Sequence, residues 1–362
     1  MWQLIRSDAI NAFKEPLIIK ILPRYVKVVN DELPAHFQIT KRIEAIFDAN
    51  EGNEKLWNLH NTLLKKFYET KKKVDKEKIK LSDLKIPKTS LLDLKIFLVK
   101  EIMKACELCE RRCGVNRWAA DLGICKVGNR CLISSEHIHL GEEFHITPSH
   151  TIFFMGCPFK CQYCQNWTIS QWYESGIEIN GRILAEAIEQ RRIEGSRNVN
   201  FVGGEPTPSL LWILESLKYC KVNIPAIWNS NMYMSEKTMK ILEGVIDMYL
   251  ADFKYGNNEC AFRLSKVPRF FETCTRNHML AVQQAEMTLR HLVLPDHIEC
   301  CTKPVLKWIS ENIREKCIVN IMDQYTPYWK ANLYPEINRE ISKEEFKTSV
   351  DFAKDIKLNF IT

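Results

Sequence analysis

Met155-Gly-Cys-Pro-Phe-Lys-Cys-Gln-Tyr-Cys-Gln-Asn166 is the stretch that decides how this chain is read. Cys157, Cys161 and Cys164 stand in the spacing C-x3-C-x2-C, directly after the apolar run Thr151–Met155. Thiolates are the usual protein ligands of an iron–sulfur cluster. Three of them in one short loop would leave one iron of a [4Fe–4S] cubane open, much as a catalytic zinc site keeps one position free for chemistry. An open iron can chelate a small molecule and pass it an electron. Zinc also takes clustered cysteines in short loops, so the triplet alone leaves a zinc knuckle standing beside the cluster.

The rest of the composition narrows the class without naming a partner. Hydrophobic residues make up 46% and charged residues 27% of 362 residues, which suits a soluble globular protein with a large core. The net charge of +6 is dispersed, and the densest basic stretch, Lys71–Lys80, alternates with acids. It reads as a solvated helix face or a linker, so no nucleic-acid partner is expected. Arg6, Asp8, Lys14, Glu15, Lys20, Arg24 and Lys27 interrupt every apolar run in Met1–Val29, which therefore does not read as a signal peptide. No stretch is long enough to span a bilayer, and a cytoplasmic location is expected. The 14 cysteines then read as metal ligands or free thiols rather than disulfides. Cys220, Cys260, Cys274 and Cys317 are scattered singly and read as small buried apolar residues. The adjacent pair Cys300-Cys301 matches no ligand pattern.

From Thr151 onward, short β-rich runs alternate with amphipathic stretches. Strands are expected at Thr151–Met155, Val199–Val202, Ala226–Trp228, Met248–Ala251, Thr288–Leu294 and Cys317–Met322. Helical patterns lie between them, which implies parallel pairing through right-handed crossovers. Polar punctuation falls at or near the strand ends: Cys157–Cys164, Gly203-Gly204-Glu205, Asn229-Ser230-Asn231, Asp252-Phe253-Lys254, Arg290 and Asp323-Gln324-Tyr325. In parallel α/β barrels the C-terminal strand ends build the active site. The expected fold is α/β: a partial (β/α)6 barrel over residues 151–362, preceded by a cysteine-rich segment at 101–150 and a helical region at 1–100. In that first region, Ile43–Phe47, Leu56–Phe67 and Leu91–Met103 read as short packed helices, with breaks at Lys71–Lys80 and Pro87.

Tyr163 just before the last cysteine and Gly203-Gly-Glu-Pro206 after the next strand decide between zinc and iron. With C-x3-C-x2-C, this combination resembles the radical S-adenosylmethionine (radical SAM) superfamily. Cys157 to Thr362 is similar, more narrowly, to the branch related to the pyruvate formate-lyase activating enzyme, which activates glycyl-radical proteins. The stretches that carry this are Cys164-Gln-Asn166, Trp228-Asn-Ser-Asn-Met-Tyr233, Asp252-Phe-Lys-Tyr255, Arg290-His-Leu-Val-Leu-Pro295 and Met322-Asp-Gln-Tyr-Thr-Pro327. The resemblance implies that Cys157, Cys161 and Cys164 hold a [4Fe–4S] cluster whose fourth iron takes the amino and carboxylate groups of SAM. It implies that Gly203, Gly204 and Glu205 hold the methionyl ammonium, and that Tyr163 lies near the adenine. Asn229, Ser230 and Asn231 are placed beside SAM. Asp252 would help hold a monovalent cation against the SAM carboxylate, with Lys254 as the motif's lysine, and Arg290 would reach SAM.

The chain departs from that branch in three places. Asn229 stands where the activating enzymes carry an aspartate, which puts the cation site in doubt. The cluster loop reads Cys-Gln-Asn rather than Cys-His-Asn, and no ferredoxin-like eight-cysteine insertion follows it. A second group, Cys106, Cys109, Cys113 and Cys125, with Cys131 nearby, has the spacing of a structural zinc site or a second iron–sulfur cluster. His137, His139, His145 and His150 match no zinc pattern.

The activity implied is that of an oxidoreductase. It would cleave SAM reductively to a 5′-deoxyadenosyl radical that abstracts hydrogen. A one-electron donor such as flavodoxin or ferredoxin would be its partner, with a glycyl-radical protein as substrate. Two alternatives stay open: a radical SAM enzyme acting on a peptide or small molecule, and a non-enzymatic zinc-binding interaction protein.

Overall fold

The computed structural model describes residues 2–172 and 175–362. Among the described residues nine strands form one sheet: β1 (Cys131–His139), β2 (Ser149–Phe154), β3 (Ile177–Ile179), β4 (Asn198–Gly203), β5 (Ala226–Ser230), β6 (Met248–Asp252), β7 (Glu286–Leu292), β8 (Ile318–Met322) and β9 (Phe360–Ile361). Their order is β3-β1-β2-β4-β5-β6-β7-β8-β9. From β2 through β8 every pairing is parallel, and helices such as Gly181–Ile193, Leu210–Tyr219 and Phe270–Gln284 make the crossovers. All six expected strands are present, with every end within two residues of its expected position. The fold is a partial (β/α)6 barrel, opened on one side by the antiparallel pair β1 and β3.

That antiparallel edge was not expected from the sequence, and its composition explains why. Ser134, Ser135, Glu136, His137 and His139 in β1 are all polar, and the strand is largely half-buried, so it offers no apolar alternation to read. The helix Asn258–Ser265 was also missed, since the run following Asp252-Phe-Lys254 reads as loop until the Asn257 side chain caps it at the Cys260 amide, 2.8 Å away.

Two expectations for residues 1–100 need correction. Ile43–Phe47 is not helical: Glu44 bridges Ser90, and the Ala45 amide donates to the Thr89 carbonyl at 3.0 Å, so the segment is extended. The second helix runs Asn53–Asp75, passing through the lysine run to a Lys71–Asp75 ion pair before it ends.

The region also does more than cover the barrel. Ile18, Ile21, Leu22 and Tyr25 pack against Ile227, Met248, Leu250 and Ile318 from inside the strands. At the N-terminal strand ends, Glu286 accepts the amides of Arg24 and Tyr25 at 2.7 Å each. Asp247 accepts from Arg24 at 3.0 Å and from the His36 amide at 2.8 Å. Residues 16–40 thus plug the bottom of the barrel and leave its C-terminal face as the open end. Among the described residues, no helix is long and apolar enough to cross a membrane.

Candidate functional site

At the C-terminal ends of the parallel strands lies a cavity of about 240 Å³. It is lined by Cys157, Cys161, Tyr163 and Cys164 after β2, Gly203, Gly204 and Glu205 after β4, and Asn229, Ser230 and Asn231 at β5. Asp252 and Lys254 at β6 and Arg290 in β7 complete the wall. Every residue singled out in the sequence for cluster or SAM contact therefore faces one space. The register explains the convergence: Phe154 pairs with Gly203, Ser230 with Ala251, Asp252 with Arg290, and Leu292 with Met322, so the strands end at one level.

The three thiols differ in surroundings. Cys157 is buried and its sulfur accepts the Phe159 amide at 3.4 Å. Cys164 Sγ meets Ser170 Oγ at 3.2 Å, and Cys161 Sγ accepts from the Ser265 hydroxyl at 3.0 Å. Burial pushes the Cys157 and Cys161 thiols well up, and neighbouring acids and thiols add to it. Such sulfurs ionise only with a cationic partner, which bound iron supplies.

Glu205 is 2% exposed. Its Oε1 accepts from Ser230 Oγ at 2.7 Å, Thr207 Oγ1 at 2.6 Å and the Thr207 amide at 3.4 Å, and its Oε2 accepts the Asn231 amide at 3.0 Å. Among the described residues, no lysine, arginine or histidine forms an ion pair with it; burial raises its pKa. A buried carboxylate on a cavity wall without a counter-cation fits a ligand that brings an ammonium.

The glycines beside it have a reason the sequence did not show. Gly203 has φ +121°, and a Cβ there would lie 2.2 Å from the Phe154 backbone. A Cβ on Gly204 would lie 2.4 Å from the Gly156 carbonyl. Close packing of the end of β4 against the end of β2 and the start of the cluster loop, and not ligand approach alone, demands glycine at both.

Two charged residues sit differently from expectation. Lys254 Nζ lies 2.5 Å from Asp252 Oδ2, so the carboxylate expected to hold a cation already has an ammonium. Burial works against that ammonium, but Asp252 and Cys161 overcome it and raise the Lys254 pKa. Arg290 turns toward the barrel axis, where Glu143 takes Nε and Nη2 at 2.7 Å each and Glu142 takes Nη2 as well. Asn320 and Asn200 donate to the same two glutamates at 2.8 and 3.0 Å. Sequence reading missed Glu142 and Glu143, because they lie in the loop before β2, outside any motif.

Tyr163 has its ring on the cavity and its hydroxyl on Tyr255 at 2.7 Å. Tyr255 in turn meets Ser265 Oγ at 2.5 Å, so hydroxyls run in a chain from Tyr163 to the Cys161 sulfur. The Asp-Phe-Lys-Tyr run could have signalled Tyr255; nothing signalled Ser265. Gln324 lines the cavity as the polar residue after β8, and Trp167 stacks on Trp329 with ring centroids 4.5 Å apart beside the loop.

Upstream, Cys106, Cys109, Cys113 and Cys125 face one narrow space of about 10 Å³ together with Arg117. Arg117 is 1% exposed; its Nε donates to the Val127 carbonyl at 3.0 Å, while among the described residues neither Nη atom has a hydrogen-bond partner. Cys131 stands apart on β1, buried beside Ser209. His145 and His150 are buried structural groups, bonded to Thr288 Oγ1 at 2.9 Å and Glu136 Oε2 at 2.8 Å.

A protein of Methanocaldococcus jannaschii, MJ0674, is 46% identical over 347 residues, which is 94% of this chain and 99% of that one. A second protein of that organism, MJ0808, is 23% identical over 211 residues, covering 53% and 61% of the two chains. Among solved structures, SuiB of Streptococcus suis bound to the precursor peptide SuiA has a TM-score of 0.42 at 17% identity, over 57% of this chain and 46% of that one. QueE from Escherichia coli has a TM-score of 0.38 at 12% identity, over 64% and 92%. The family model of the radical SAM superfamily matches residues 151–309, the span that carries the cysteine triplet and the strand ends from β2 to β7. Residues 151–309 thus form a radical SAM superfamily domain, which implies a [4Fe–4S] cluster and S-adenosylmethionine.

Proposed function

We propose that this enzyme acts in the manner of the pyruvate formate-lyase activating branch, abstracting hydrogen from a glycine of a partner protein. The observation that carries the reading is the single cavity on which Cys157, Cys161, Cys164, Glu205, Asp252 and Arg290 converge. Cys157, Cys161 and Cys164 would hold the cluster. When bound, the cluster and SAM supply a 5′-deoxyadenosyl radical at the cost of one electron from a donor such as flavodoxin or ferredoxin.

The chain's own residues position and shield. Glu205 offers its buried carboxylate to the methionyl ammonium, and Ser230 and the Asn231 amide keep that carboxylate aimed at the cavity. Lys254, held by Asp252, offers a cation for the SAM carboxylate in place of a monovalent ion. Tyr163 and Gln324 bound the space left for the nucleoside. Arg290 braces the cavity floor through Glu142 and Glu143. The stacked Trp167 and Trp329 screen the loop from water.

We assign residues 1–100 to a helical region that plugs the barrel, 101–150 to a metal-binding segment and 151–362 to the radical SAM core. Four thiols around a buried Arg117 guanidinium whose Nη atoms have no hydrogen-bond partner among the described residues favour an anionic metal–thiolate centre there, zinc or iron–sulfur.

The test is anaerobic reconstitution with iron and sulfide, reduction with SAM, and assay of 5′-deoxyadenosine. Product from the wild type and none from Cys161→Ala supports the chemistry assigned to the triplet. A glycyl radical signal in a co-purified partner supports the activase role. Deoxyadenosine formed with a peptide or small molecule, and with no protein radical, would replace that role.

A further inference from the structure

The cysteines that the sequence left without a pattern meet a histidine in the fold. Cys260 comes from the helix after β6; His297 and Cys300 come from the turn after β7. Among the described residues, these three form a group whose potential ligand atoms all lie within 4.8 Å of one another. Cys260 Sγ and Cys300 Sγ are 3.9 Å apart. Zinc bound tetrahedrally at about 2.3 Å from each sulfur would separate two thiolates by about 3.8 Å. Cys301 Sγ lies 3.9 Å from Cys300 Sγ and is hydrogen-bonded to Cys260, within reach of a fourth position.

The surroundings are arranged as they are around a metal ligand. His297 is 3% exposed, and its Nδ1 lies 2.7 Å from the Pro295 carbonyl. A donated Nδ1 proton fixes the tautomer that leaves Nε2 bare, which is how ligating histidines are oriented. Asn257 ties the two turns together: its Nδ2 donates to the Cys300 carbonyl at 2.8 Å, and its Oδ1 accepts the Cys260 amide at 2.8 Å. Gly256 lets the turns approach, since a Cβ there would lie 2.6 Å from the Cys300 carbonyl and 2.9 Å from Cys301 Cα.

We infer that Cys260, His297 and Cys300, with Cys301 closing the set, form a structural zinc site separate from the cluster loop and from the upstream cysteines. Its place gives it a purpose. The site clamps the segment that follows Asp252 and Lys254 to the one that follows Arg290, so it sets the spacing of two strand ends at the cavity.

Cys300 is exposed, which makes the site directly measurable in the full-length protein. Anaerobic protein equilibrated with zinc sulfate is alkylated with isotope-coded reagent before and after a chelator, and each cysteine is read by peptide mass spectrometry. Cys260 and Cys300 are expected to react about tenfold or more slowly before chelation. In parallel, the double variant Cys260→Ser, Cys300→Ser is expected to bind one zinc fewer per chain than wild type at unchanged iron content, whereas Cys220→Ser loses none. Equal alkylation of Cys300 with and without zinc overturns the site. So does recovery of a Cys260–Cys300 disulfide from the anaerobic, zinc-treated protein. An unchanged zinc count in the folded double variant also overturns it; if the variant does not fold, the wild-type alkylation decides.

Discussion

Ser265 donates its hydroxyl hydrogen to Cys161 Sγ across 3.0 Å, and Tyr255 and Tyr163 stand in line behind it. A hydrogen bond to a ligating sulfur stabilises the more negative, reduced state of a cluster and so raises its potential. One such bond is worth about 1 kcal/mol, or roughly 40 mV for a one-electron couple. Ser265→Ala is therefore expected to lower the potential of the reconstituted cluster by that order, read by a redox titration followed by electron paramagnetic resonance. A potential equal to wild type would show that the hydroxyl does not reach the sulfur in the loaded protein.

The Lys254 ammonium on Asp252 bears on the monovalent cation expected by resemblance. With the aspartate replaced by Asn229 on β5, the pocket keeps one anion at that end, and Lys254 neutralises it at 2.5 Å. SAM affinity is expected to be the same in sodium, potassium or tetramethylammonium salts at equal ionic strength. Lys254→Met is expected to weaken SAM binding by about tenfold, or 1.4 kcal/mol, and to introduce a potassium dependence. Isothermal titration of SAM into the cluster-loaded proteins checks both; a potassium requirement in the wild type would refute the assignment.

Much of this was legible in the residues, for a physical reason. Strand–helix alternation is local, and polar residues at parallel strand ends can face only one rim, so the rim could be drawn from the pattern, while the resemblance supplied which of its residues would meet the cluster and SAM. What stayed hidden depends on contacts distant in sequence. Glu142 and Glu143 meet Arg290 from 148 and 147 residues away, and Ser265 reaches Cys161 from 104. Cys260 looked like a lone thiol because its partners lie 37 and 40 residues on, past a whole helix and strand. Residues 16–40 drew no reading of their own, because an apolar stripe does not say which surface it will cover.

Arg290 and Glu143 form a buried pair that neither can leave cheaply. Glu143 is buried, which opposes its ionisation, yet Arg290 and Asn320 hold its carboxyl below the ordinary range. Removing the cation of such a cluster costs about 3–5 kcal/mol, because Glu142 and Glu143 are left buried without it. Arg290→Met is expected to lose stability of that order in urea unfolding of the metal-free chain, and Glu143→Leu less, because Arg290 keeps Glu142 as a partner. The double variant is expected to be more stable than the sum of the two losses implies. Additive losses would mean that the two side chains do not share a desolvated site.

Glu136 on β1 sets the pH dependence of the antiparallel edge. Hydrogen bonds, first from His150 and then from Arg191, hold its carboxyl down at about 2, against the ordinary 4.5. Burial lowers the His150 pKa, so near neutral pH that ring is uncharged and Arg191 supplies the ionic partner, at 2.7 Å. A carboxyl whose folded pKa lies below its unfolded value adds stability above the unfolded value and loses it as the pH falls through the folded one. Glu136→Gln is therefore expected to melt below wild type at any pH above 4.5, with the gap closing as the pH falls toward about 2. Thermal melts of both metal-free proteins across that window check it, and a gap that does not change with pH would show that Glu136 acts through packing rather than charge.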